Sequence, residues 1–299
     1  MIRIGVDFGG TKIEAAALDE AGRVVARIRE PNPGDYDSAI ETVAEVVAEA
    51  ERQAGALGSV GIGIPGSLSP VDGAVRNANS VWLNGRPFKQ DLEARLGRPL
   101  RLANDANCMA LSEACDGAGA GHRVVFGAIL GTGCGGGVVV DGRIIEGRNG
   151  IGGEWGHTPL PWPGPDEWPG EIHWCGRPNC LEAWISGTAF VKDFERATGQ
   201  TLTGAEIAAA AAAGLREAEA ALDRYVDRLG RALAVIADIL DPDVIVLAGG
   251  MSNTEALYAR VPAVTARWAF TDRFTTPIVK AAHGDSSGVR GAAWLWPLE

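Results

Sequence analysis

Two glycine turns, an Asn-Asp pair and a dense His/Cys segment carry the residues of this sequence most suited to chemistry. In "DFGGTK" (Asp7–Lys12) a turn at Gly9 and Gly10 lets backbone N–H groups approach a phosphate, and Thr11 and Lys12 add a donor and a positive charge. Asp7 is placed to hold Mg²⁺. The same letters also fit a tight hairpin with a charged tip. The pattern GxxxxGK[ST] is absent, which excludes the P-loop class. "GTGCGGG" (Gly131–Gly137) contains GxGxxG, yet the strand-like "VVVDGRII" follows it. A dinucleotide fingerprint must open a helix, so that reading fails. A second glycine hairpin remains, and the two together suit the phosphates of a nucleotide.

"LANDANC" (Leu102–Cys108) runs from an apolar strand into a helix expected near Ala106. Asp105 is then either the helix cap, a common place for Asp, or a general base that takes a hydroxyl proton. Glu154 and Glu182 are acids able to accept from sugar hydroxyls, or are solvated surface groups. "EIHWCGRPNCLE" (residues 171–182) admits a metal site, a disulfide, a reactive thiol or plain packing. "GDSSG" (Gly284–Gly288) matches GxSxG, but no histidine follows Ser286. An α/β-hydrolase needs one there, which argues against that class.

Bulk properties narrow the partners. Hydrophobic residues make up 46% of the 299 and charged ones 22%, which describes a globular protein of one large or two ordinary domains. The formal net charge is -11, with no basic cluster. Nucleic acid and anionic membranes are bound through basic patches, so neither is expected as a partner. No run approaches a membrane span, and "MIRIGVDFGG" reads as a strand rather than a secretory signal. Five cysteines, an odd number, suit a reducing, cytoplasmic setting.

The elements that must position these groups follow one order twice. Alternation at Ile2, Ile4, Val6 and Phe8 opens a three-stranded meander, followed by a helix expected from Ser38 and the buried strand "SVGIGIPG". "VVFGAILGTGCGGGVVVDGRIIEG" repeats the meander. A long helix with Val226, Leu229, Leu233, Ile236 and Leu240 then precedes the strand "VIVLAGG". Two similar α/β lobes imply a ligand-binding cleft between them. Their boundary is expected in "DGAGAG", and the alanine run after Gly204 reads as a helix with little side chain to pack.

In this order "IGVDFGGTK", "IGIPG", "LANDANC", "ILGTGCGGGVVVDG", "GEWGH", "CGRPNCLE" and "VIVLAGGMSN" resemble the ROK family of sugar kinases along nearly the whole chain. The resemblance implies a two-lobed, actin-like ATPase (hexokinase, ribonuclease H-like) fold with duplicated α/β domains. Residues 1–119, joined by a C-terminal helix over 286–299, would form one lobe, and 120–285 the other. It implies Asp105 as the catalytic base, and Gly66, Asn79, Asn104, Asp105, Glu154, His157 and Glu182 as sugar contacts. Asp7, Gly9, Gly10, Thr11, Lys12, Gly131, Thr132, Gly133, Gly249 and Gly250 would hold Mg²⁺-ATP.

Within the family, "NANSVWLNG", "GEWGHTPLPW" and "HGDSSGVRGAAWLWP" look most like bacterial fructokinases, making D-fructose the expected acceptor. N-acetylglucosamine, glucose and mannose are the alternatives, and a non-catalytic sugar-binding regulator is a remote one. Relatives further suggest a homodimer. The family also implies structural Zn²⁺ held by a histidine and three cysteines. Here His173 stands where the first cysteine is expected and Asn179 where a glycine is usual, which leaves His157, His173, Cys175 and Cys180 as the expected ligands. Such a His₂Cys₂ set is a normal tetrahedral site. Loss of the metal is expected to raise the Michaelis constant for sugar more than that for ATP.

Overall fold

A computed structural model describes residues 1–297 of the chain. In chain order the first half comprises β1 (Ile2–Phe8), β2 (Lys12–Leu18), β3 (Val24–Pro31), α1 (Tyr36–Ala54) and β4 (Gly58–Ile64). The short β5 (Ser67–Leu68) and β6 (Val75–Arg76) follow, then α2 (Phe88–Leu96), β7 (Leu100–Asn104) and α3 (Asp105–Asp116). The second half begins with β8 (Val124–Leu130), β9 (Cys134–Val140) and β10 (Arg143–Ile144). It continues through α4 (Glu182–Ile185), α5 (Gly187–Thr198), α6 (Gly204–Ala212) and α7 (Arg216–Leu240). It closes with β11 (Val244–Ala248), α8 (Ala256–Trp268), β12 (Ile278–Lys280) and α9 (Ser287–Trp294).

Two compact units result. One contains Met1–Gly121, Gly137–Gly153 and the chain from Ala282; the other contains His122–Gly136 and Glu154–Ala281. A single C-terminal lobe over 120–285 is therefore corrected, because 137–153 and 282–285 pack with the first unit. The reason is a close approach. A Cβ at Gly137 would lie 2.7 Å from the Ala110 Cβ and 2.8 Å from the Ala106 carbonyl oxygen, so the second half of β9 rests directly on α3. The last helix is also shorter than expected. It ends at Trp294, and residues 298–299 of the expected 286–299 lie outside the described residues.

In the first unit the sheet order is β3-β2-β1-β4-β7, with β1 antiparallel to β2 and parallel to β4. The other five-stranded sheet runs β10-β9-β8-β11-β12, which is the same order, 3-2-1-4-5, when the strands of each sheet are counted along the chain. That shared topology is the repeat read from the order of elements. On one face of the first sheet α1 buries Ile40, Val43, Val47 and Ala50. It starts two residues earlier than expected, because Asp35 rather than Ser38 is the cap and its Oδ1 accepts from the Ser38 N–H at 3.0 Å.

On the other face α9 touches backbone. A Cβ at Gly5 or Gly61 would come within 1.9 Å of the Val289 or Ala292 carbonyl oxygen, so only glycine admits this helix. Phe8, at the strand end leading to the first turn, is 1% exposed and meets Phe88 edge-on at 5.1 Å, a contact worth about 0.5–1.5 kcal/mol beyond burial. That packing fixes where β1 hands over to the turn.

In the second unit β8, β11 and β12 run parallel. The 25-residue α7 buries Leu222, Val226, Leu229 and Leu233 against its neighbours. Its buried arginines reach a loop that composition alone left unplaced. Arg231 donates to the Pro161 and Trp162 carbonyl oxygens at 2.8 and 2.9 Å and pairs with Glu167 at 2.8 Å, while Arg228 bridges Glu167 and Asp193, at 2.9 Å each. The proline- and tryptophan-rich segment is thereby tied to the longest helix. No helix among the described residues is long and apolar enough to cross a membrane.

Candidate active site and metal clasp

Asp105 is the first residue of α3, at the end of β7. The cap belongs to Asn104, whose Oδ1 accepts from the Ala106 and Asn107 N–H groups at 2.9 and 3.3 Å. Asp105 is exposed, and its Oδ1 accepts from the Ala106 N–H at 2.7 Å. The helix end is thus satisfied without depending on Asp105, which weakens the bland reading of that carboxylate. Asn104 Nδ2 in turn donates to the Gly66 carbonyl oxygen at 3.0 Å. Gly66 has φ 75°, and a Cβ there would strike the Arg76 carbonyl oxygen at 2.3 Å. Asn79, in the loop after β6, is exposed.

The first glycine turn lies in the same unit. Gly9 N–H donates to the Lys12 carbonyl oxygen at 3.0 Å, and Asn32 Nδ2 braces the Gly9 carbonyl at 2.7 Å. Lys12 Nζ lies 3.7 Å from Glu14, whose carboxylate also pairs with Arg27 and Arg29. Burial, and next the charge of Glu14, push the Asp7 carboxyl above its ordinary range. A cation beside it would reverse that penalty. Gly288 leaves room there, since a Cβ at 288 would stand 3.4 Å from the carboxylate. These features fit a divalent ion held by Asp7.

The second turn, Gly131–Gly133, joins β8 to β9 in the other unit and is closed by Gly131 N–H donating to the Gly133 carbonyl at 3.0 Å. Gly249 has φ 82°, and a Cβ on it would meet the Leu130 carbonyl carbon at 2.6 Å, so glycine is required where β11 ends beside this turn. A cleft of about 1410 Å³ opens here, lined by Gly131, Thr132, Gly187, Lys192, Gly250 and Arg260. Ala205, Ala208, Ala209 and Ala212 of α6 form a further wall. The alanine run is a helix, and its short side chains make space. Sequence reasoning missed α5 and α6 as lining elements, for nothing in the run itself signals a ligand.

Glu154, His157 and Glu182 also belong to this unit. Trp155 is buried, donates from Nε1 to the Gly135 carbonyl at 2.8 Å and packs edge-on against Phe126 at 5.3 Å. Its neighbours are thereby fixed next to β9. His157 Nε2 lies 3.7 Å from the exposed Glu154. His157 Nδ1 is buried with no hydrogen-bond partner among the described residues. His157 belongs to a cluster with His173, Cys175 and Cys180, in which one ligand atom from each lies within 4.8 Å of the others. Cys175 Sγ stands 3.6 Å from Cys180 Sγ and 3.1 Å from His173 Nδ1.

Tetrahedral zinc at ordinary bond lengths separates its ligands by about 3.3–3.8 Å, so the donor set and spacing fit such an ion. Burial opposes it, but hydrogen bonds led by that from His173 bring the Cys175 thiol down to about 6. Burial and the neighbouring Cys175 push Cys180 up to about 11. One member of the pair is thus ready to act as a thiolate. The departure at Asn179 also has a physical account. Its φ is 61°, a conformation Asn tolerates better than most residues, and its buried Oδ1 accepts from Trp184 Nε1 at 2.7 Å.

Glu182 lies against the clasp, where it accepts from His173 Nε2, from Trp174 Nε1 and from the Cys134 N–H, each at 2.8 Å. Burial works against its charge, yet these bonds, that from Cys134 first, hold the carboxyl below its ordinary range. Three of its roughly four acceptor positions are occupied.

The ROK family model matches residues 3–299. An N-acetyl-D-glucosamine kinase of Photobacterium profundum is 42% identical over 297 residues, covering 97% of this chain and 98% of its own length. Among solved structures, a ROK hexokinase from Thermus thermophilus superposes with a TM-score of 0.87 at 34% identity, covering 98% of this chain and 97% of its own. A ROK family glucokinase from Streptomyces griseus, in complex with glucose and AMPPNP, gives 0.81 at 30% identity and 99% coverage of both chains. The mixed α/β fold is accordingly the actin-like, hexokinase type.

Proposed function

The chain belongs to the ROK family and is an ATP-dependent sugar kinase, and we propose that its acceptor is N-acetyl-D-glucosamine. The observation that carries this is likeness along the full length to a kinase named for that sugar, 42% identical over 297 residues. D-Fructose, expected from the loop motifs, has no support among the relatives described above. The N-acetylglucosamine alternative has the better support.

We assign Asp105 the proton of the attacking hydroxyl. Its place as the first residue of a helix already capped by Asn104 supports that role. A base must act within hydrogen-bond reach of its proton, and an exposed carboxylate at a helix start is open to a bound acceptor. Thr11, Lys12 and the N–H groups of the two glycine turns would take the phosphate oxygens, with Gly249 and Gly250 beside the second turn. Mg²⁺ at Asp7 would supply charge neutralisation on the phosphates. Gly66, Asn79, Asn104, Glu154 and His157 would bind the acceptor. Asn104 serves twice, since it also caps α3 and holds the Gly66 loop.

His157, His173, Cys175 and Cys180 would hold structural Zn²⁺. The unpartnered His157 Nδ1 and the close sulfurs support this assignment. The ion would add cross-links to a segment with little regular structure and no part in the proton transfer.

Coupled ADP release with Mg-ATP, measured over N-acetylglucosamine, glucose, mannose and fructose, tests the acceptor. The highest kcat/KM is expected for N-acetylglucosamine. A higher value for any of the other three would overturn the assignment.

A further inference from the structure

We propose that Glu182 is a positioning residue that couples the His/Cys clasp to the phosphate turn Gly131–Gly133. This deepens the reading of the clasp and the turn given above and rests on it.

The connection is a series of short contacts inside one unit. Cys175 Sγ lies 3.1 Å from His173 Nδ1, and the other nitrogen of the same ring, Nε2, lies 2.8 Å from Glu182 Oε1. Glu182 Oε2 accepts from the Cys134 N–H at 2.8 Å, immediately after the turn. A Cβ at Gly133 would stand 2.6 Å from that same oxygen, so the turn is seated on the carboxylate. Trp174 Nε1 donates to Oε1 at 2.8 Å and helps hold its orientation. On the far side of the turn, the Gly131 carbonyl accepts from Gly187 N–H at 2.6 Å, at the start of α5. The turn is thus clamped between Glu182 and α5.

His173 makes this possible. An imidazole can face an ion with one nitrogen and donate to a carboxylate with the other, which fixes its tautomer. A cysteine at 173, the residue the family resemblance leads one to expect, has one sulfur and no second group to offer Glu182. His173 in place of the expected cysteine therefore adds a link toward the nucleotide. Loss of the metal should then weaken nucleotide binding as well as acceptor binding, to which His157 contributes directly.

The test uses the full chain, its metal content, and titration with Mg-ADP. His173→Cys keeps four ligands but removes the Nε2 donor. It should retain near-stoichiometric zinc while the Kd for Mg-ADP rises on the order of tenfold. The acceptor KM should change less than about twofold, well below the roughly 10–100-fold of a lost second-layer partner. Glu182→Gln should weaken Mg-ADP in the same way, with Glu182→Asp restoring part of the loss. Zinc retained in His173→Cys with unchanged Mg-ADP affinity would overturn the coupling.

Wild-type protein supplies a reading that needs no variant to fold. Chelation should speed hydrogen exchange of the Cys134 N–H and the Gly131–Gly133 amides relative to the rest of β8 and β9. Unchanged exchange at these amides after zinc removal would also overturn it. Wild-type protein that contains no zinc would instead remove the metal reading. The Glu182 bridge would then stand if Glu182→Gln alone weakens Mg-ADP, and fall if it does not.

Discussion

Asn104 caps α3 by accepting the Ala106 N–H at 2.9 Å, so the carboxylate that follows it in sequence is not required to start the helix. This division of labour predicts different consequences for two neighbouring changes. Asp105→Asn should reduce turnover by at least about 10²–10⁴-fold, the usual contribution of a general base, while thermal stability and acceptor binding stay near those of the parent. Asn104→Ala should cost about 0.5–2 kcal/mol of stability through the lost cap. It should also loosen Gly66, whose carbonyl Asn104 Nδ2 holds at 3.0 Å. Steady-state kinetics beside thermal denaturation check both. Near-parental turnover in Asp105→Asn would remove it as the base.

The clasp gives a second expectation. Zinc analysis of protein washed without chelator should find about one ion per chain, as a single tetrahedral site requires. His157→Ala, which deletes the ligand with the orphaned Nδ1, should lose that ion and leave Cys175 open to thiol reagents. Unaltered zinc content in this variant would place the ion elsewhere.

Buried ion pairs anchor the segment leading to the clasp. Arg231 is 4% exposed at its side chain and holds Glu167 together with the Pro161 and Trp162 carbonyls. Arg231→Ala leaves Glu167 only Arg228 as a partner and frees the Pro161 and Trp162 carbonyls, and should destabilise the fold by about 1–3 kcal/mol. Denaturant unfolding reads this directly, and a change near zero would show that the segment does not depend on α7.

Acid sensitivity should trace to Glu113. Burial alone would raise its pKa. N–H groups of Ala118, Ala282 and His283 and the Ser287 hydroxyl instead hold it below the ordinary range. A carboxyl depressed in the folded state contributes stability that is fully present above the unfolded value of about 4.3 and is lost as pH falls through the folded value. Glu113→Gln should therefore lower stability at neutral pH and flatten its fall between about pH 5 and 3. A parallel fall in both proteins would exclude Glu113 as the source.

Local chemistry was legible wherever a turn dictates residue type. Gly9, Gly10 and Gly131–Gly133 declared two hairpins, and the strand after "GTGCGGG" was enough to reject a dinucleotide fold. The duplicated sheet order was likewise readable from the succession of elements. Long-range packing was not. Nothing near Gly137 announces that it lies against Ala106 and Ala110, so residues 137–153 could not be given to the first unit from sequence. Arg231 and Glu167 stand 64 positions apart, and Glu182 and Cys134 48, distances at which charge and polarity carry no pairing signal. Even the cap of α1 was misplaced by three residues, since Asp35 and Ser38 are both good caps and only the fold chooses.

The acceptor is tested most directly by competition in one vessel. Equal concentrations of N-acetylglucosamine, glucose, mannose and fructose, incubated with Mg-ATP and the protein, give products that mass spectrometry separates into phosphorylated N-acetylhexosamine and phosphorylated hexose. The initial rates report the ratio of kcat/KM values, which is what discrimination means for an enzyme. Faster accumulation of phosphorylated N-acetylhexosamine is the predicted result; faster accumulation of phosphorylated hexose would contradict it.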